Sequence, residues 1–278
     1  HCEFGRFQQP EENRARNLPW ADNQLIVEAA KILHESAKPV IVVGGGIKNC
    51  GGHADVLALA ETLNAPIILA PGHGDAIPHG HPLNSGQMGP RGNVVASRLA
   101  KEADVILALG TRLGFNSTFY SYDNINSEAD IIQVELEPTA IGRYFPIRLG
   151  IWADAQAVAG QLTNALQKFE LREEVVAWTD AYHNERAAYL SQRDSAADGR
   201  EIPIQPSGLY RVLRNVLPKD AIVTMDAGTL CLQATDALEY HQPPGLFTPL
   251  DFGLVGFSFA CGLGVKLAQP NRPVVSLM

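Results

Sequence analysis

Two short loops carry the residue types best suited to holding an anionic, flat-ringed ligand. The first, Asp226-Ala227-Gly228-Thr229, follows the apolar run Ala221–Met225 and opens a helical segment. Backbone N–H groups at such a helix start point outward with the positive end of the dipole, which suits a phosphate. The second, Gly253-Leu254-Val255-Gly256-Phe257, sets glycine on both sides of bulky aliphatics and introduces a small-residue helix with Gly262 and Gly264. Glycine there allows close approach to a planar ring, with the aliphatic side chain as its support. Either loop alone reads as ordinary helix–sheet packing. Together they point to a cofactor.

Other residues invite chemistry with less force. Gly44-Gly45-Gly46-Ile47-Lys48-Asn49 begins like a dinucleotide turn, but Asn49 stands where the third glycine belongs and no Gly-Lys-Ser/Thr follows. It reads either as a phosphate-adjacent turn or as a tight strand–helix corner. Gly110-Thr111-Arg112 puts a guanidinium directly after a strand, where it meets an anionic ligand or a surface carboxylate. Glu135 and Glu137 close another strand; the first suits a ribose hydroxyl pair, or both stay solvated before Pro138. His73, His79 and His81, with Asp75, are irregularly spaced among glycines and prolines, which reads as a surface loop rather than a metal site. Gly256-Phe257-Ser258-Phe259-Ala260 approximates a nucleophile elbow, yet no histidine follows His241, so Ser258 lacks a triad. Cys2, Cys50, Cys231 and Cys261 form no CxxC and read as free thiols in a reducing, cytoplasmic compartment. No residue is assigned as catalytic or as a metal ligand.

The scaffold for these loops is a repeated alternation. Short apolar strands at 39–46, which ends in glycines, and at 66–70, 104–110 and 130–136 are separated by helical patterns at 23–36, 53–64, 93–102 and 155–168. That reads as α/β, a doubly wound parallel sheet covered by helices on both faces, with right-handed crossovers. The loops Gly44–Gly46, Gly110–Arg112 and Glu135 should then meet at one edge, because all follow carboxyl strand ends. A charged helix from Glu170 to Ala188 and a polar loop through Asp194, Ser195, Asp198 and Gly199 come next. The alternation resumes with helix 206–217, strand 221–225, helices 229–239 and 256–268, and the apolar run Pro273–Met278. The resulting division is a linker at 1–24, a central α/β domain at 25–170, an interdomain helix and linker at 171–201, and the truncated start of a second α/β domain at 202–278. The sequence starts at His1 and stops inside what reads as a core strand, so it is expected to be a piece of a longer protein.

Composition fits this picture. The 278 residues are 46% hydrophobic and 19% charged, enough apolar material for a core and too much for a disordered chain. The net charge of −8 argues against a nucleic-acid or anionic-membrane surface. No apolar run approaches the roughly 20 residues of a membrane helix.

The order of motifs resembles the thiamine-diphosphate-dependent enzyme family, in its acetolactate synthase-like group. Lys38–Gly46, Ala65-Pro66, Ala76-Ile77-Pro78, His81-Pro82-Leu83, Ala103–Gly110 and Glu137-Pro138 to Ile141-Gly142 follow the family's central domain. Residues 221–278, through Gly253–Phe257 and Leu267–Pro273, follow the start of its diphosphate-binding domain. The resemblance implies that Ala227, Gly228, Thr229 and Leu230 hold the diphosphate. It implies that Gly253 accepts from the aminopyrimidine through its carbonyl, beside Leu254. Val255 takes the place of an aliphatic wedge that is often Met. It also implies Mg²⁺, with ligands beyond Met278, and a catalytic glutamate in an upstream domain. FAD is bound by some members, and Gly44, Gly45, Gly46, Gly89, Gly110, Arg112, Glu135 and Asp154 match that pocket. Gly114 and Asn116, however, stand where acetolactate synthases carry Asp and Arg, Glu135 replaces Asp, and Ala153 replaces Gly.

The implied function is a carboligase or decarboxylase acting on a small-molecule 2-oxo acid, with no nucleic-acid or membrane partner, as a homodimer or homotetramer. Acetolactate formation is the first expectation, with glyoxylate carboligase and sulfoacetaldehyde acetyltransferase as alternatives. A non-catalytic nucleotide-binding protein is the rival of another class. If a neighbouring subunit covers the cofactor loops, residues 246–262, with Phe247, Phe252, Phe257 and Phe259, should be partly exposed in this chain.

Overall fold

The computed structural model describes residues 18–195 and 202–278. Its first sheet contains β1 (Pro39–Val43), β2 (Ile67–Leu69), β3 (Asn84–Gln87), β4 (Val105–Leu109), β5 (Asp130–Glu135) and β6 (Leu149–Trp152). All pairs are parallel, in the order β3-β2-β1-β4-β5-β6. The chain winds outward in one direction from β1 and in the other from β4, so the topological switch lies between them.

Every residue of β1 and β4 is buried, as an apolar run in a sheet covered on both faces requires. The two-residue period divides them. Ile41 and Val43 enter one core with α1 (Asn23–Glu35), α3 (His53–Leu63) and α6 (Ala155–Leu166). Val40 and Val42 enter another with α4 (Val94–Glu102), Trp178 and Tyr182. Side chains start three helices: Asp22 accepts from Gln24 N–H, Asn93 from Ala96 N–H, and Asp154 from Ala157 N–H. The short α2 (Gly45–Cys50) and α5 (Phe115–Thr118) sit at carboxyl strand ends.

The second sheet is parallel, in the order β8 (Leu246–Phe247), β7 (Ile222–Met225), β9 (Val274–Leu277). With it run α8 (Pro206–Val216), α9 (Thr229–Ala237) and α10 (Phe257–Ala268). Between the sheets runs α7 (Glu173–Ser195), 23 residues long. It grips the first sheet's side through Trp178 Nε1–H to Pro39 O, Tyr182 O–H to Pro82 O, and Arg186 to the carbonyls of His79, His81 and Pro82. It grips the second through Tyr189 O–H to Asp236 and Arg193 to Glu239.

Four expectations from sequence are corrected here. The charged helix does not stop at Ala188; Asp194 and Ser195, read as loop, are its last turn. The cause is tertiary, because Arg193 and Asp194 are held in an ion-pair network with Glu239 and Arg214. Strands β3, β6 and β8 were not read at all: Asn84-Ser85-Gly86-Gln87 is polar, and the others are short or broken by glycine. The run ending in glycines stops at Val43, and Gly45 already belongs to α2. The histidine segment is not a surface loop. Gly74 to Ile77 are buried, and Asp75 is wholly so.

Candidate cofactor site

The two candidate loops lie side by side at the carboxyl end of β7, laced by one residue. Asp226 donates its backbone N–H to Leu277 O at 3.1 Å, which ties the strand end to β9. Its carboxylate is buried and accepts from Ser258 N–H at 2.7 Å and Gly256 N–H at 2.9 Å. Those two amides, Ser258 foremost, hold its carboxyl below the usual carboxylate range. Ala227 N–H donates to Leu254 O at 3.1 Å, a second link between the loops.

Backbone conformation explains the glycines. Gly228 (φ +128°) precedes α9 as its N-cap, Gly253 has φ +71°, and Gly256 (φ +86°) is the N-cap of α10. A Cβ built on any of the three would meet no atom within 4 Å. The space beside them is open. Thr229, at the first turn of α9, is exposed, and Leu230 follows it in the helix. Val255 is 84% exposed, and Phe252, Leu254 and Phe259 are exposed as well. The expected exposure of residues 246–262 is therefore confined to the wedge loop and the start of α10. Phe247 and Phe257 are half-buried, and Leu246 is buried.

The loops on the first sheet also share one edge, as expected. Gly44 N–H donates to Leu109 O, Gly46 N–H to Gly110 O, and Gly110 N–H to Val134 O beside Glu135. Their glycines are of another kind. A Cβ on Gly44 would lie 2.5 Å from Gly110 O, one on Gly46 2.6 Å from Gly110 Cα, and one on Gly45 2.9 Å from the His73 ring. Gly89, at φ +102°, would meet Asn116 O at 2.7 Å. Gly44–Gly46 thus form a tight strand–helix corner. Arg112 is exposed, with no ion pair among the described residues. Glu135 is half-buried and accepts from Leu136 N–H. Glu137 is exposed, as a solvated acid would be, and also caps a 3₁₀ turn by accepting from Thr139. Asp154 is buried at the start of α6, occupied as its cap.

Two polar assemblies join the halves, and neither was read from sequence. Lys48 Nζ lies 3.0 Å from Asp75, donates to Leu246 O and sits 4.9 Å over the Phe247 ring. Asp75 also accepts from Gly245 and Leu246 N–H at 2.9 Å. Nearby, Glu239 faces His79, Arg193, Arg214 and His241. The hydrogen bond from His79, with Arg193 beside it, lowers the Glu239 carboxyl to about 2. Among the described residues no group of three His, Cys, Asp or Glu side chains is placed to hold a metal. Cys50, Cys231 and Cys261 are free thiols.

Comparison with known proteins follows this geometry closely. Residues 26–162 match the family model of the thiamine pyrophosphate enzyme central domain. Residues 226–278 match that of the C-terminal thiamine pyrophosphate binding domain. The chain belongs to the thiamine-diphosphate-dependent enzyme family. The second match begins at Asp226, the residue that laces the two open loops. Within the family, the chain is 32% identical over 274 residues to a sulfoacetaldehyde acetyltransferase of Castellaniella defragrans, covering 91% of this chain and 46% of that protein. It is 34% identical over 270 residues to a probable sulfoacetaldehyde acetyltransferase of Rhizobium meliloti (strain 1021), covering 90% and 45%. It is 28% identical over 258 residues to a probable acetolactate synthase large subunit of Methanocaldococcus jannaschii, covering 91% and 43%. The chain thus spans less than half the length of these curated relatives. Among the described residues no helix is long and apolar enough to cross a membrane.

Proposed function

We propose that the complete protein is a thiamine-diphosphate-dependent carbon–carbon lyase or transferase, and that residues 226–257 form this chain's share of the cofactor site. The observation that carries the reading is the pair of laced loops whose glycines face open space, at the start of the matched cofactor domain. Backbone N–H groups of Ala227 to Leu230 at the start of α9 would hold the diphosphate. The Gly253 carbonyl would orient the aminopyrimidine, and Val255, with Leu254, would support the ring. When bound, the cofactor supplies an electron sink for breaking or making a bond next to a carbonyl. The chain's own residues place that group and keep its ring face apolar. Mg²⁺ belongs to the proposal as the diphosphate's counter-charge, with its ligands outside the described residues.

Two activities stay within this proposal. The 32–34% identity to sulfoacetaldehyde acetyltransferases, against 28% to an acetolactate synthase, favours acetyl transfer. Gly114 and Asn116, in place of Asp and Arg, support the same side. Acetolactate formation from a 2-oxo acid is the second reading. FAD is not built into the proposal: the Cβ side of Gly44, Gly45, Gly46, Gly89 and Gly110 is filled by protein atoms, so any flavin contact there would fall to their backbone groups. A second copy of the protein is proposed to cover Phe252, Val255, Phe259, Leu263 and Leu267, an apolar set costly to leave in water. Assaying the complete gene product with thiamine diphosphate, Mg²⁺ and pyruvate or sulfoacetaldehyde tests the proposal. Cofactor-dependent acetyl transfer or carboligation is expected. Absence of thiamine diphosphate binding would overturn it.

A further inference from the structure

The diphosphate and the ring of one cofactor must be held at a fixed spacing by two loops far apart in sequence. Gly228 and Gly253 are separated by 24 intervening residues, which include α9 and β8. Both loops are glycine-rich, both carry positive φ angles, and neither has side-chain packing around its glycines. Conformational freedom of that kind costs binding energy unless something removes it in advance.

We infer that Asp226 is a positioning residue that sets the spacing of the diphosphate loop and the ring-holding loop before the cofactor arrives. This rests on the cofactor site proposed above. Three bonds converge on the one residue. Its N–H is fixed to Leu277 O at the end of β9, so the root of the diphosphate loop is tied to the sheet. Its two carboxylate oxygens take the amides of Gly256 and Ser258, which bracket Phe257 at the start of α10. These amides are among the first of α10, which has no side-chain cap from its own N-cap, Gly256. Asp226 thus caps a helix thirty residues downstream while standing one residue before the diphosphate loop.

The chemistry demands an ionised carboxylate of this length. Both acceptors face N–H donors, so charge strengthens both bonds. An asparagine keeps one acceptor and turns an NH₂ toward the other amide, donor against donor. A glutamate adds a methylene and pushes α10 away from β7, widening the gap between the loops. Alanine removes both bonds and leaves the Gly256 amide to solvent and the buried Ser258 amide unpaired.

The test uses the complete gene product and three variants, Asp226→Asn, Asp226→Glu and Asp226→Ala. Binding of thiamine diphosphate with Mg²⁺ is measured by calorimetry, and amide exchange is followed across 226–232, 253–259 and β1–β6. Asp226→Asn should weaken cofactor binding roughly ten- to a hundredfold, in keeping with the loss of one charge-assisted bond. Exchange should rise at 253–259 and stay unchanged in the first sheet, which separates positioning from general unfolding. Near-ultraviolet circular dichroism of the bound cofactor should change in Asp226→Glu, because ring orientation follows loop spacing. Wild-type affinity in Asp226→Asn, with unchanged exchange at 253–259, would overturn the inference. Loss of exchange protection across β1–β6 as well would also overturn it, by making Asp226 a general stability residue. A wild-type protein that binds no thiamine diphosphate would instead overturn the functional proposal beneath it.

Discussion

The two glycine-rich edges of this molecule look alike in sequence and opposite in structure. At the first sheet, Gly44, Gly46 and Gly110 exist because two backbone turns touch; any Cβ there would lie within 2.6 Å of another residue's main chain. At the second, Gly228, Gly253 and Gly256 exist because the chain must adopt positive φ, and the space beside them is empty. Glycine is thus a joint in one place and a bend beside open space in the other. Spacing alone does not separate the two uses; what occupies the missing Cβ position does.

The comparison is sharpened first at the bridge between the two edges. Replacing Lys48 by Met leaves Asp75, fully buried, without its cation. A loss of about 3 kcal/mol in unfolding free energy is expected, since breaking a buried pair strands a charge. Chemical denaturation should show it, and a loss under 1 kcal/mol would mean that the Gly245 and Leu246 amides suffice. Next comes Gly46→Ala. Its Cβ meets backbone rather than a movable side chain, so about 2 kcal/mol of destabilisation is expected from overpacking. An unchanged melting temperature would show that the first edge is not a closed joint.

A smaller effect lies at Glu239. Its carboxyl is lowered from 4.5 to about 2 in the folded state, so its contribution is complete above pH 4.5 and disappears as pH falls toward 2. Because the side chain is partly exposed, about 1 kcal/mol is expected at neutral pH. Glu239→Gln should therefore lower stability at pH 7 and reduce its slope between pH 4.5 and 2. A parallel downward shift at every pH would contradict the assignment. Smallest in stability is Val255→Ala, expected to stay within about 0.5 kcal/mol because the side chain is exposed. Cofactor affinity should nevertheless fall about tenfold, as two methyl groups are withdrawn from a ring. If stability falls and affinity does not, the second edge is a joint as well.

Much of the fold was legible from sequence because β1 and β4 are continuous apolar runs and β5 carries Ile131, Ile132 and Val134, a signal that survives without tertiary context. The edge strands were not, since Asn84-Ser85-Gly86-Gln87 carries no apolar period and pairs through backbone alone. The two loops proposed to hold the cofactor stand out in sequence through glycine placement after a buried strand. Asp226 reads only as part of a loop, because it caps not the helix that follows it but one thirty residues on. The partnership of Lys48 with Asp75, and of Asp226 with Ser258, depends on contacts across tens of residues, and no local pattern announces it.

The place of β1 in the sheet also has a cost during synthesis. It pairs on one side with β2, which follows closely, but on the other with β4, after the 61 residues from 44 to 104 have been made. At roughly 5–20 residues per second, that interval lasts about 3–12 s. Throughout it, Val40, Ile41, Val42 and Val43 offer a bare, wholly apolar strand edge to whatever is nearby. On a crowded polysome the nearest competitor for that edge is the same strand of the next nascent chain. Slower translation between residues 44 and 104 should therefore lower the soluble yield more than an equal delay after residue 109.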